Sequence, residues 1–222
     1  MKILIVSAME MEIAPLTTWL ARREGDNAYR CGEHDIDVLI TGVGMVATAA
    51  WTARALTQVT YDMALSLGLC GSFDPAFVPG TVVHVTSDHV VELGAEDGDD
   101  FLTVRDLGLQ RGDDPPFEEG RLVNADPPVN AALQKLPSVE GITVNTVHGN
   151  ARSIDAVVRR VQPQVESMEG AAFMYACAIA DVPYAHVRAV SNFVEPRNRA
   201  AWKIPEAIAA LDGAARDILG CL

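Results

Sequence analysis

Residues 2–8 read Lys-Ile-Leu-Ile-Val-Ser-Ala, with apolar side chains at consecutive rather than alternate positions. A strand of that composition is stable only when both of its faces are buried, the situation of parallel strands covered by helices on either side. Ile13, Leu16 and Leu20 follow at helical spacing, so the chain opens as strand, loop, helix. The unit then recurs. Residues 35–41 predict a second strand, Gly42-Val43-Gly44 breaks it, and residues 45–58 predict a helix. Residues 63–67 form another buried strand that ends in Gly68-Leu69-Cys70-Gly71-Ser72, and residues 81–87 alternate Val with polar residues as a fourth.

Beyond the next stretch come a short helix over 128–136, a strand over 142–147 and helices over 153–161 and 168–180. A strand over 184–190 and an amphipathic helix over 207–219, with Ile208, Leu211, Ala215 and Ile218 on one face, close the chain. This alternation predicts an α/β class fold, a three-layer α/β/α sandwich around a mixed, largely parallel sheet, with ligands at the carboxyl ends of its strands. Residues 92–128 dissolve into Gly, Pro and acids and lack a core of their own, so they read as a surface excursion within one domain spanning 1–222.

Charge and composition exclude several functions. A formal net charge of −13, with 17 basic residues that form no dense run, argues against a nucleic-acid partner. The acid clusters at 92–100 and around Asp113, Asp114, Glu118 and Glu119 read as solvated surface. Cys31, Cys70, Cys177 and Cys221 form no C-x-x-C pair, which points to free thiols in a reducing compartment rather than bridges or a metal site. Glu10 and Glu12 follow the first strand at once, unlike a signal peptide, and the longest apolar run, 170–180, falls far short of the roughly 20 residues of a membrane span. A soluble cytoplasmic protein, with no membrane partner, is expected.

Several motifs bear on chemistry. Gly42-Val43-Gly44-Met45-Val46-Ala47 has the G-x-G-x-x-A form of a dinucleotide loop, and Asp62 lies 20 residues beyond Gly42. That acid precedes its strand, however, and so stands at the end away from a bound ribose. The glycines instead allow a tight turn whose N–H groups can approach a ligand. Residues 68–72 are not a G-x-S-x-G elbow, and none of the five histidines is marked by its neighbours as a base for Cys70. A backbone wall against a flat ligand suits Gly68 and Gly71 better. Glu10 and Glu12 either point into a cleft or start a helix with favourable charge. Glu166 and Glu169 face the same choice, though Met168 and the small Gly170-Ala171-Ala172 point to a tightly shaped pocket. Asn192, at a strand end before Phe193, is either a turn former or a buried amide with a donor and an acceptor to offer.

Ser7-Ala8-Met9-Glu10-Met11-Glu12, the glycines at 68–71, residues 166–172 and Val190-Ser191-Asn192 together resemble the nucleoside phosphorylase and nucleosidase superfamily over nearly the whole chain. Ser191-Asn192-Phe193-Val194-Glu195-Pro196-Arg197-Asn198-Arg199, joined to Met168-Glu169-Gly170-Ala171-Ala172, is most similar to its futalosine hydrolase family. The resemblance implies Glu12 as the general base that activates water, Glu169 as the carboxylate that holds ribose hydroxyls, and Met168 packing on the sugar. It implies Leu69, Cys70, Gly71, Glu166 and Phe193 as further substrate contacts. Adenine-specific nucleosidases have an Asp where this chain has Asn192. An amide donates to O6 and accepts from N7–H of a 6-oxopurine, which points to hypoxanthine as the leaving base. Futalosine also carries a benzoate-like carboxylate, for which Arg197, Arg199 and Lys203 are the nearest cations. No metal or cofactor is implied, and the family forms homo-oligomers. A phosphorylase is the enzymatic alternative, but of the arginines only Arg54 stands near the first-strand and glycine segments in sequence. A non-catalytic nucleoside sensor would have no need of Glu12.

Overall fold

The opening apolar run forms β1 (Lys2–Ser7), which sends Ile3 and Ile5 into one core and Leu4 and Val6 into another. A strand with two buried faces needs cover on both, and the rest of the chain supplies it. The computed structural model describes residues 1–25, 27–98, 100–111, 113–220 and 222. After β1 come α1 (Glu10–Trp19), a hairpin of β2 (Ala21–Arg22) and β3 (Ala28–Cys31), β4 (His34–Ile40), α2 (Met45–Gln58), β5 (Met63–Ser72) and β6 (Val82–Val90). The excursion carries β7 (Gly94–Asp97), β8 (Asp100–Thr103), β9 (Phe117–Glu118) and β10 (Arg121–Val123). The chain closes with β11 (Ser138–Thr143), α3 (Ala151–Val161), β12 (Val165–Ser167), α4 (Gly170–Ile179), β13 (Tyr184–Phe193) and α5 (Ile204–Gly220).

The three layers follow from burial. Helices α1 and α5 bring Ile13, Leu16, Leu211 and Ile218 against Ile3, Ile5, Leu65, Leu67 and Val187. On the other face, α2 and α4 bring Leu56, Phe173, Met174 and Cys177 against Leu4, Val6 and Ala64. In the sheet, β1 lies parallel between β4 and β5, and β13 runs parallel to β5. Antiparallel pairs attach β3 to β4, β12 to β5 and β6 to β13. Because β11 joins β12 to β6, the pairings β5–β12–β11–β6–β13–β5 close on themselves. Cys70, Val83, Val85, Val139, Val165 and Val190, drawn from all five strands, pack together inside that ring. The sandwich is therefore flat at one end and barrel-like at the other, with the long strands ending near the seam.

Some boundaries differ from expectation. Residues 68–72 belong to β5 rather than to a loop, because they pair with both β12 and β13. The strand expected over 142–147 is β11 at Ser138–Thr143, and β12 has only three residues, too few to show a period. The helix expected over 128–136 shrinks to a 3-10 turn at Leu133–Lys135. Buried Asn130 competes there, accepting from the N–H groups of Ala132 and Leu133 and donating to the Ile218 carbonyl. The excursion is less irregular than its composition, since β7 and β8 form their own hairpin while β9 and β10 extend the main sheet beyond β6.

Asp62 accepts from the Lys2 backbone N–H at 2.6 Å, which pins the amino ends of β1 and β5 together and keeps it away from the ligand end. Cys31, Cys70 and Cys177 are free thiols, while Cys221 lies outside the described residues. Among the described residues no helix is long and apolar enough to cross a membrane.

Candidate active site

A cleft of about 250 Å³ opens where β1, β5, β12 and β13 end, and it gathers residues far apart in the chain. Glu12, Leu69, Cys70, Gly71, Glu166, Met168, Glu169, Asn192, Phe193 and Arg197 all line it. So do Trp202, which sequence reasoning did not single out, and His148, to whose side chain it assigned no role.

Glu12 sits in the first turn of α1, buried to 6% exposure. Its Oε2 accepts from the Ser7 hydroxyl at 3.0 Å and the Met9 N–H at 3.1 Å, and its Oε1 from the Leu69 N–H at 3.1 Å. The choice between helix-starting charge and cleft carboxylate thus falls to the cleft, while Glu10 remains exposed. Burial raises the Glu12 carboxyl above its ordinary range, and the positive charge of Arg188 and these donors only partly oppose that. Such a carboxylate is the stronger base for it.

Glu169 caps α4 rather than lying within it, and its Oε1 accepts from the Gly44 N–H at 3.0 Å. Gly44, at φ +99, makes the tight turn read from sequence, but its N–H serves this carboxylate instead of standing free. Arg188 on β13 is nearly fully buried and places Nη2 3.8 Å from Glu169. It donates to the Ser66 hydroxyl and the Val187 carbonyl, and a Cβ on Gly68 would stand 3.0 Å from its Nη1. Gly68 leaves room for that guanidinium, which a larger residue there would have to displace by a few tenths of an ångström. One signal for Arg188 was available in sequence: a charged residue inside the run 184–190, which His186 alone also interrupts and which is otherwise apolar.

At the other end of the cleft, Asn192 accepts at Oδ1 from the Ser191 hydroxyl, 2.7 Å away, and donates from Nδ2 to the Phe193 carbonyl at 2.9 Å. A Cβ on Gly71 would stand 3.4 Å from Asn192 Nδ2 and 3.6 Å from Glu166 Cγ, so both side chains border that glycine. Glu166 lies on β12, not at a helix mouth, and is held by His148: the ring Nδ1 is 2.6 Å from Oε2 and the backbone N–H is 3.1 Å from Oε1. Burial pushes the Cys70 thiol up to about 12, so it keeps its proton and is no nucleophile. Phe193, Val43 and Ile204 make the outer wall apolar, and the Trp202 ring carries the guanidinium groups of Arg197 at 5.5 Å and Arg199 at 5.9 Å.

A family model described as the phosphorylase superfamily matches residues 2–221. The chain belongs to that superfamily. Futalosine hydrolase from Streptomyces coelicolor is 39% identical over 80% of this chain and 76% of its own. Futalosine hydrolase from Acidothermus cellulolyticus is 34% identical over 80% and 72%. Among solved structures, a 5'-methylthioadenosine/S-adenosylhomocysteine nucleosidase from Neisseria meningitidis, in complex with methylthio-immucillin-A, superposes with a TM-score of 0.81 at 17% identity, over 100% of this chain and 99% of that one.

Within this superfamily the nucleophile is water or phosphate, and the charges around the cleft bear on which. Four carboxylates, Glu12, Glu166, Glu169 and Glu195, line it with a single arginine, Arg197. Arg188 is taken up by the two carboxylates it faces. Arg54, the arginine considered for phosphate from sequence, lies exposed on α2 against Trp51. A phosphate dianion 4 Å from such a carboxylate would meet a repulsion of about 4 kcal/mol per charge pair near a protein surface, whereas water meets none. Among the described residues no group of three or more His, Cys, Asp or Glu could hold a metal ion.

Proposed function

We propose that this protein hydrolyses the N-glycosidic bond of futalosine, releasing hypoxanthine and leaving dehypoxanthinyl futalosine. The similarity to curated futalosine hydrolases over 80% of the chain carries the reading. The amide of Asn192 gives it a chemical reason.

In this reading Glu12 takes a proton from the attacking water, and Glu169 holds the ribose hydroxyls while Met168 packs on the sugar. Cleavage passes through an oxocarbenium-like state, so these groups act on charge that develops only as the bond breaks. Leu69, Cys70 and Gly71 form a wall for the flat base, and Asn192 meets O6 and N7–H. The aromatic tail of the substrate lies along Phe193 and Trp202, with its carboxylate toward Arg197. The reaction is a step of menaquinone biosynthesis and takes place in the cytoplasm. The enzyme works as a homo-oligomer, in keeping with the exposed Val46, Trp51, Tyr175 and Ile179 on α2 and α4.

Incubation with futalosine, aminofutalosine, inosine and methylthioadenosine side by side, with and without phosphate, tests the reading. Free hypoxanthine from futalosine, independent of phosphate, is the expected result. Fastest cleavage of methylthioadenosine, or release of a sugar phosphate, would overturn it.

A further inference from the structure

When the bond from C1' to N9 breaks, its electron pair passes to the purine, and a ring nitrogen must gain a proton if the base is to leave neutral. Asn192 can hold that proton once it is in place but cannot supply it. Most other groups lining the cleft are committed. Glu12 and Glu169 are bonded at the sugar end to Ser7, Met9, Leu69 and Gly44. Cys70 holds its proton too tightly, and a guanidinium such as that of Arg197 does not give one up. Glu195 is exposed at the mouth.

His148 remains. Its Nδ1 lies 2.6 Å from Glu166 Oε2, an oxygen of a carboxylate that is only 4% exposed and is also bonded by the His148 backbone N–H. Carboxylate and backbone together fix the ring and its tautomer, and Phe73 meets the imidazole edge-on at 6.1 Å. Among the described residues Nε2 has no hydrogen-bond partner, so it is available to a ligand. Because Glu166 and Asn192 border the same Gly71, the pair stands beside the amide that reads the base. The groups facing this pair are Glu166 on β12, Cys70 on β5, and Glu195 and Arg197 after β13, with Glu12 and Glu169 across the cleft.

We infer that His148, held in place by Glu166, is the general acid that protonates the leaving purine. The inference rests on the hydrolytic reading above and assigns its missing proton donor. The balance is complete without a further reactant. His148 gives its proton to N7 as the N9 bond breaks, water adds to C1' and gives a proton to Glu12, and solvent exchange returns Glu12 to the anion and His148 to the cation. Glu166 does not touch the base and acts as a positioning residue.

His148→Asn keeps a donor for Glu166 but removes the acid, and kcat is expected to fall by about 10²- to 10⁴-fold. The alkaline limb of the kcat profile, where wild type loses the imidazolium, disappears in that variant. Glu166→Gln keeps the imidazole without its anion, and the limb moves to lower pH. Assays use whichever nucleoside the wild type cleaves fastest, so a wrong substrate assignment does not disturb the comparison. His148→Gln is the second variant should His148→Asn fail to fold, as judged by its circular dichroism. Wild-type kcat in either variant, or a lowered kcat with the alkaline limb unmoved, would show that His148 only ties residues 147–150 to β12 and would overturn the inference.

Discussion

The guanidinium of Arg188 lies 3.8 Å from the carboxylate of Glu169, with the two side chains only 3% and 11% exposed. The same charge favours ionised Glu12, so one buried cation on β13 answers two carboxylates delivered by α1 and the cap of α4. Removing one partner of such a group leaves uncompensated charge in a poorly solvated site, at a cost of about 3–5 kcal/mol. Arg188→Met should lose stability on that scale in urea denaturation. It should also drive the Glu12 carboxyl further up, so that activity disappears at a higher pH on the acid side. An unshifted acid limb would mean that Arg188 does not act on Glu12.

Glu12 itself has a pH signature. A base works only when ionised, and burial raises this carboxyl, so kcat/KM should fall as pH drops through a value above the ordinary 4.5. Glu12→Gln should lose about 10²- to 10⁴-fold in kcat. For stability the sign is opposite. A raised carboxyl adds stability below its unfolded value and loses it as pH rises through the folded one, so the Gln variant should gain on wild type with rising pH. Melting temperatures of both proteins across that range check this, and a constant gap would refute it.

The parts of the fold legible in the sequence were those with a long period. The continuous apolar run of β1 and the helical spacing of α2 and α5 survive in the structure almost unchanged. β12 did not show because three residues carry no period, and the closure of the ring through β11 and β13 depends on pairings between distant segments. The site divides in the same way. Ten of the residues singled out line one cleft while Glu10, Arg199 and Lys203 do not, and Arg188, Trp202 and the side chain of His148 passed unnoticed. Arg188 looked like an interruption of a strand, His148 is made interesting only by Glu166 on another element, and Trp202 by two arginines that flank it.

Asn192→Asp exchanges an amide for a group that can donate only when protonated, at the base end of the cleft. The variant should cleave futalosine more slowly and 6-aminopurine nucleosides faster, moving the ratio of kcat/KM values toward the 6-aminopurine. Parallel assays on futalosine and aminofutalosine measure it. Equal losses on both would mean that Asn192 supports the wall, through Ser191 and Phe193, without reading the base.

Arg197 and Trp202 should matter only for a substrate with a charged aromatic tail. A charge-assisted hydrogen bond contributes about 1.5–3 kcal/mol, so Arg197→Ala should raise KM for futalosine roughly 10- to 150-fold. Inosine, which has no such tail, should be cleaved as by wild type. Equal losses on the two substrates would remove the carboxylate from this end of the cleft.

The last prediction concerns the packing beneath Glu169. Asp88, fully buried, accepts from the Thr143 hydroxyl at 2.7 Å, and that hydroxyl accepts in turn from the Ala171 N–H in the first turn of α4. A Cβ on Gly170 would collide with the Asp88 carboxylate and stand 2.7 Å from His186 Nε2, so only glycine fits there. Burial pushes Asp88 from 3.8 to about 7. Its contribution to stability is therefore full below the unfolded value and is lost as pH rises toward 7. Asp88→Asn keeps an acceptor for Thr143 without a charge to bury. Relative to wild type it should gain stability between about pH 4 and pH 7, by up to about 4 kcal/mol if the whole shift is expressed. Urea titrations of both proteins at several pH values measure the difference, and a gap that does not change with pH would mean that Asp88 ionises in the fold as easily as in the unfolded chain.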